Sequence, residues 1–354
     1  MTISPDRVRT RLPGISTRAW EHPADRTALV ALRSLAGFDT VLRALSGLLR
    51  ERQHRLLYLA TAVRVDERQF RTLHDLRADC VEILDARTTP EMFVLQSPHV
   101  NAFTIGMDRP FIVLTTALID LMDTEELRFV VGHELGHALS GHAVYRTMLM
   151  HLLRLSASVG WMPGGGWALR AIVAALMEWS RKSELSGDRA GLLCGQDVEA
   201  SVRVHMKTAG GAWVREMNHG AFLAQADDYE RSGDLRDGVL KLLNLELQSH
   251  PFSVLRAAEL RRWIQSGEYN RVLAGDYPRR EHDKNASISA EIKDAARAYR
   301  QNFDQSEDAL VRTVRNLGRD VGAAVGTVGQ EVGETVSKIG KRLDDWRNGD
   351  GSSN

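Results

Sequence analysis

The run His133-Glu134-Leu135-Gly136-His137 constrains this 354-residue chain more than any other stretch. Two histidines four positions apart lie on one face of an α-helix, about one turn from each other. Both imidazoles can then reach one metal ion, with Glu134 beside them as a base for water. The chemistry therefore demands a helix, and the flanking residues supply one. Asp123 with Glu126 three residues on has the form of a capping box, and Leu127, Val130, Val131, Leu135 and Leu139 recur at helical spacing. The pattern reads as a zinc hydrolase site that still needs a third ligand.

Segment 180–188 offers two candidates, Glu184 and Asp188, on one face of a second helix rich in Leu and Ala. One carboxylate can complete a His2Glu set with water in the fourth position. The other can accept a hydrogen bond from a ligand imidazole and so fix its tautomer.

Four pieces in order then resemble a known family: Asn101-Ala102-Phe103; His133 to His137 with His142 beyond; Ser180-Arg181 with Glu184 and Asp188; and His250-Pro251 with Arg256. They resemble the HtpX-like heat-shock proteases and CAAX prenyl proteases, zinc metalloendopeptidases of the gluzincin group. The resemblance implies that His133, His137 and Glu184 bind one catalytic Zn2+, that Glu134 is the catalytic base, and that Asp188 supports His133. It also puts His250 and Arg256 on the substrate side, where a cation or imidazole can meet the developing oxyanion. The Asn101-Ala102-Phe103 strand would offer its edge to an extended polypeptide substrate. Two noncatalytic positions depart from the family, Thr104 and Gly187, where Ala is usual; Gly within a helix costs about 1 kcal/mol relative to Ala. His142 comes nine residues after His133, one short of the metzincin spacing for a third ligand, and reads as a helix residue typical of the resembling family.

The fold class expected is α+β and mostly helical: a gluzincin-type core, a small antiparallel or mixed sheet beside the active-site helix, and a helical C-terminal extension. Residues 92–95 and 111–114 read as strands, and 101–106 between them contain turn formers. Three regions are expected. Residues 1–85 form a helical layer on the core, 86–282 the catalytic domain with a helical hairpin at about 143–179, and 283–354 a linker and amphipathic tail weakened by glycines. The hairpin is apolar but interrupted by Arg146, His151, Arg154, Arg170 and Glu178, so burial is preferred to membrane insertion. Segments 143–179 and 308–347 are the candidate peripheral contacts with a membrane.

Lys and Arg (46) balance Asp and Glu (46), which supplies no global field for nucleic acid. Cys80 and Cys194 lack paired spacing and suit buried thiols in a reducing compartment. The first residues lack an apolar secretory signal, so a cytoplasmic location is expected. No glycine-rich loop with Gly-Lys-Ser/Thr argues for ATP. The function expected is an ATP-independent zinc metalloendopeptidase acting on extended or unfolded polypeptides, with protein quality control as its setting. The alternative is a restrained zinc-containing adaptor whose groove the hairpin or tail covers.

Overall fold

The computed structural model describes residues 7–33, 38, 51–107, 109–159, 166–231 and 252–283. In chain order its elements are α1 (Pro23–Arg33), α2 (Glu51–Thr61), β1 (Val63–Arg64), α3 (Arg71–Ile83), β2 (Met92–Leu95), β3 (Ala102–Ile105), β4 (Phe111–Thr115) and α4 (Thr116–Leu121). There follow α5 (Thr124–Leu139), α6 (His142–Val159), α7 (Gly166–Gly195), α8 (Val198–Gly210), α9 (His219–Arg231), α10 (Ser253–Gln265) and α11 (Glu268–Leu273). The architecture is α+β and mostly helical, with a small mixed sheet beside the helix that carries the paired histidines.

The helix α5 begins where its sequence says it should. The Glu126 N–H donates to Asp123 Oδ1 at 2.9 Å and the Asp123 N–H donates to Glu126 Oε2 at 2.8 Å, a complete capping box. Glu126 is fully buried, and Arg203 Nε at 3.0 Å and Lys207 Nζ at 2.6 Å, both on α8, compensate its charge. One carboxylate thus starts α5 and ties α8 to it.

The central contact is between α5 and α7, along a seam of small residues. A methyl built on Gly132 would stand 2.5 Å from Cys194 Cβ, and one on Gly136 2.5 Å from Ala190 Cβ. From the other side, a methyl on Gly191 would stand 2.7 Å from the Phe129 carbonyl oxygen, and one on Gly187 2.6 Å from His133 Cε1. These positions recur every three or four residues, one stripe per helix, so the two backbones approach closely, with the glycines of one helix leaving room for side chains such as Cys194, Ala190 and His133 of the other.

The sheet runs in the order β1-β2-β4-β3, with β2 parallel to β4 and both outer pairs antiparallel. Stretch 101–106, which composition reads as containing turn formers, carries strand β3, because Ala102 to Ile105 pair with Leu114 to Phe111. Side chains alternate across this sheet. Met92, Val94, Ala102, Ile112 and Leu114 join the main core beneath α5, while Phe93, Ile105, Phe111 and Val113 form a second cluster with Tyr58 of α2. The same alternation turns Thr104 toward α5 and Phe103 toward Tyr58, with ring centroids 6.2 Å apart.

A third cluster joins Ala28, Leu32 and Phe38 to Tyr145, Met148 and Leu152 of α6 and to Ile172, Val173, Leu176 and Trp179 of α7. These apolar residues of the expected hairpin are buried against α1 and its surroundings. Among the described residues no helix is long and apolar enough to cross a membrane. The hairpin turn at 160–165, His250 and the tail beyond 283 lie outside the described residues.

The seam gives a reciprocal test. Gly136→Ala lowers stability by about 1–3 kcal/mol through overpacking. Adding Ala190→Gly removes the opposing methyl and recovers most of that loss, as read from urea unfolding of the single and double variants.

Candidate metal centre

Two turns of α5 and two of α7 face each other across this seam, and each helix contributes polar groups at the spacing of four. From α5, His133 and His137 point their Nε2 atoms at each other, 3.0 Å apart. From α7, the Glu184 carboxylate reaches both, with Oε2 at 3.5 Å from His133 Nε2 and Oε1 at 3.4 Å from His137 Nε2. The three residues are buried, and one donor atom from each lies within 4.8 Å of the others. Ligands about 2.0–2.1 Å from one tetrahedral ion stand about 3.3 Å apart, so this donor set fits a metal in both spacing and chemistry.

Glu134 is fully buried beside them, its Oε1 4.0 Å from His133 Nε2. The Thr104 hydroxyl lies 2.7 Å from Glu134 Oε2 and 2.9 Å from its main-chain carbonyl, so one proton serves two acceptors. Glu134 Oε1 has no hydrogen-bond partner among the described residues. One carboxylate oxygen is thus held by Thr104.

Around this group the buried charges are arranged in a chain. His133 Nδ1 meets Asp188 Oδ1 at 3.0 Å. Arg256 of α10 forks onto Asp188 through Nε at 2.8 Å and Nη2 at 2.6 Å, and its Nη1 reaches Glu184 Oε2 at 3.1 Å. Arg146 of α6 reaches Glu184 Oε1 at 3.0 Å. Burial opposes the charge on Asp188, but Arg256, with His205 and His133, holds its carboxyl well below the ordinary range. Burial also opposes protonation of His133, yet hydrogen bonds and charge from Asp188 and Glu184 carry it up to about 9 in the metal-free site. Burial and then Arg146 keep His137 well below its usual value.

The structure therefore brings together His133, Glu134, His137, Glu184, Asp188 and Arg256. Asn101, Ala102 and Phe103 lie at the start of β3 and just before it, the edge strand whose Thr104 touches Glu134. His250 lies outside the described residues. The two positions that depart from the resembling pattern both touch this group. Thr104 bonds Glu134, and Gly187 provides the space for the His133 ring.

Sequence reasoning gave no role in the site to Arg146, His205 or Asp25, and weighed His142 only as a ligand. Arg146 was visible only as an interruption of an apolar stretch. His205, pushed down to about 4 mainly by burial, stands 3.8 Å from Asp188 and edge-on to Phe129. His142 is no bystander: its Nδ1 lies 3.0 Å from His137 Nδ1, and its Nε2 3.1 Å from Asp25 of α1. The signal for these residues was polarity inside apolar helical stripes, which does not name a partner.

Comparison with known proteins agrees with this arrangement. Residues 67–264 match Peptidase family M48. The chloroplastic plastoglobule-localized metallopeptidase 48 of Arabidopsis thaliana is 36% identical over 260 residues, covering 72% of this chain and 74% of that protein. Protease HtpX of Xanthomonas oryzae is 28% identical over 203 residues, 49% of this chain and 65% of its own length. The mitochondrial metalloendopeptidase OMA1 of Homo sapiens is 32% identical over 126 residues, 31% of this chain and 24% of its own length. No solved structure matches the chain.

The charge chain predicts a large stability effect at Arg256. Arg256→Leu leaves Asp188 and Glu184 buried without their shared cation and costs about 3–5 kcal/mol in urea unfolding of the metal-free protein. Arg256→Lys recovers only part, because an ammonium cannot fork onto a carboxylate.

Proposed function

This chain belongs to peptidase family M48, and from that premise we propose that it cuts internal peptide bonds of extended or unfolded polypeptides at a zinc site built from His133, His137 and Glu184. As a member of the family it is a metalloendopeptidase with a metal cofactor and polypeptide substrates. The observation that carries the finer reading is the buried convergence of two imidazole Nε2 atoms and one carboxylate beside Glu134. Two imidazoles and a carboxylate suit zinc among the common divalent metals.

Bound there, zinc supplies Lewis acidity that polarises the scissile carbonyl and makes water acidic near neutral pH. Glu134 removes the proton of the attacking water through Oε1, since Thr104 holds Oε2, and later delivers it to the leaving amine. Asp188 keeps the His133 proton on Nδ1 and so leaves Nε2 free to ligate. Arg256, expected on the substrate side, has its guanidinium on Asp188 and Glu184, and the role proposed for it is that of a positioning cation acting through those carboxylates. The donor to the developing oxyanion is proposed to be His250, from outside the described residues.

Strand β3 stands at the end of the strand order among the described residues, and addition of a substrate strand beside it is the binding mode we propose. Asn101, Ala102 and Phe103 would thus hold substrate by main-chain hydrogen bonds. Capture of that kind tolerates many sequences but requires an extended chain, which folded proteins do not offer. This supports unfolded segments as substrates and protein quality control as the setting. The cytoplasm is the location proposed, because Cys80 and Cys194 are buried free thiols that suit a reducing compartment.

The deciding experiment incubates the intact chain and Glu134→Gln with denatured proteins and maps products by mass spectrometry. The intact chain gives zinc-dependent internal cuts. Glu134→Gln keeps zinc and loses about 10²–10⁴-fold in rate. Zinc binding without cleavage by either protein sinks the peptidase reading of this site.

Metal uptake also carries a pH signature. His133 holds its proton up to about pH 9 in the metal-free protein, and zinc must displace it, whereas His137 is already neutral. Zinc affinity therefore rises about tenfold per pH unit between about pH 6 and 8, one proton being released. Chelator competition measures this, and a flat profile counts against His133 as a ligand.

A further inference from the structure

The chain before residue 67 lies outside the family match, yet one of its side chains reaches toward the metal centre. Asp25, in the first turn of α1, is 1% exposed. A carboxylate at a helix start gains its dipole interaction equally well facing water. Turned inward it loses its hydration, a cost that partners must offset. Those partners come from the helices that carry the metal-site residues and from the helix next to them. The Ser186 hydroxyl of α7 donates to Asp25 Oδ2 at 2.6 Å, and His142 Nε2, at the start of α6, lies 3.1 Å from the same oxygen.

The segment leading into α1 is fastened to the same helices. The His22 N–H donates to Ser186 Oγ at 2.9 Å, and Trp20 Nε1 donates to Ser140 Oγ, at the end of α5, at 3.1 Å. Trp179 stands edge-on to the His142 ring, centroids 5.5 Å apart, and limits its rotation. The other nitrogen of that ring, Nδ1, lies 3.0 Å from His137 Nδ1.

We propose that Asp25 is a positioning residue of the metal centre: through His142 it fixes the tautomer of His137, and with it the lone pair that His137 offers the metal. The proposal deepens the zinc reading and rests on it. His137 can ligate through Nε2 only while its proton sits on Nδ1. That N–H then donates to His142 Nδ1, so His142 must carry its own proton on Nε2. A proton there needs an acceptor, and the ionised Asp25 carboxylate only accepts. The opposite tautomer of His142 would set two N–H groups head to head at 3.0 Å, or move the His137 proton onto Nε2 and remove the ligand. The N-terminal helix is thereby part of the centre.

The test uses the full chain, stripped of metal and titrated with zinc against a chelator. Asp25→Ala is expected to bind zinc about 10–100-fold more weakly than wild type. Urea unfolding of the metal-free proteins reads any structural loss separately. Asp25→Asn keeps the shape of the side chain, and its amide donates as well as accepts. In ¹⁵N NMR of the zinc-loaded protein, wild-type His142 holds its proton on Nε2 alone, while Asp25→Asn divides it between the two nitrogens. Zinc affinity of Asp25→Ala within about twofold of wild type, or a single unchanged tautomer in Asp25→Asn, overturns the proposal. His137→Ala separates the two readings: if it binds zinc as tightly as wild type, the ligand assignment itself fails and the relay fails with it.

Discussion

The whole site depends on how closely α5 and α7 approach. Gly132 and Gly136 on one helix, and Gly187 and Gly191 on the other, leave no room for a methyl where the backbones meet. Because they meet there, side chains one position along each stripe face each other across a short gap. His133 and His137 then find Glu184 within hydrogen-bonding distance or a little beyond. A bulkier seam would separate the helices and leave His133 and His137 on one surface and Glu184 and Asp188 on another. Gly187 shows the trade most directly. Its loss of helix propensity is the condition for the His133 ring to lie over α7.

A site this buried carries an electrostatic burden that the rest of the fold has to offset. Glu134, Glu184 and Asp188 lie together in the interior, where a carboxylate removed from water needs polar partners. Arg146 from α6 and Arg256 from α10 bring the compensating charge, and Thr104 from β3 holds Glu134. The sheet and the outer helices thus act as electrostatic supports for two central helices. Hydrogen bonds aimed at each carboxylate also remove rotational freedom, which pre-organises groups that must act in fixed geometry.

Local spacing was legible because it follows from helix and strand geometry alone. The capping box at Asp123 and Glu126, the paired histidines and the strand at 92–95 each need only a few neighbouring residues to declare themselves. Local composition reads turn formers at 101–106 and the strand there came only from the resemblance, since pairing of β3 with β4 outweighs local preference. Asp25, Arg146 and His205 were hidden for a different reason. Each is a polar residue in a helix whose partner lies on another element, and spacing within one helix says nothing about what packs against it.

The sequence by itself determined the chemical types and their register: two imidazoles and a base at helical spacing, and two carboxylates at the same spacing on a second helix. Helical periodicity converts residue number directly into direction, so those relations need no tertiary information. Spacing left the choice between Glu184 and Asp188 open and the resemblance pointed to Glu184; only the tertiary structure decided which cations share that carboxylate and that α1 lends Asp25 to His142. Those are distances between elements. They are set by the packing of small residues and by burial of the surrounding core, which depend on the whole chain at once.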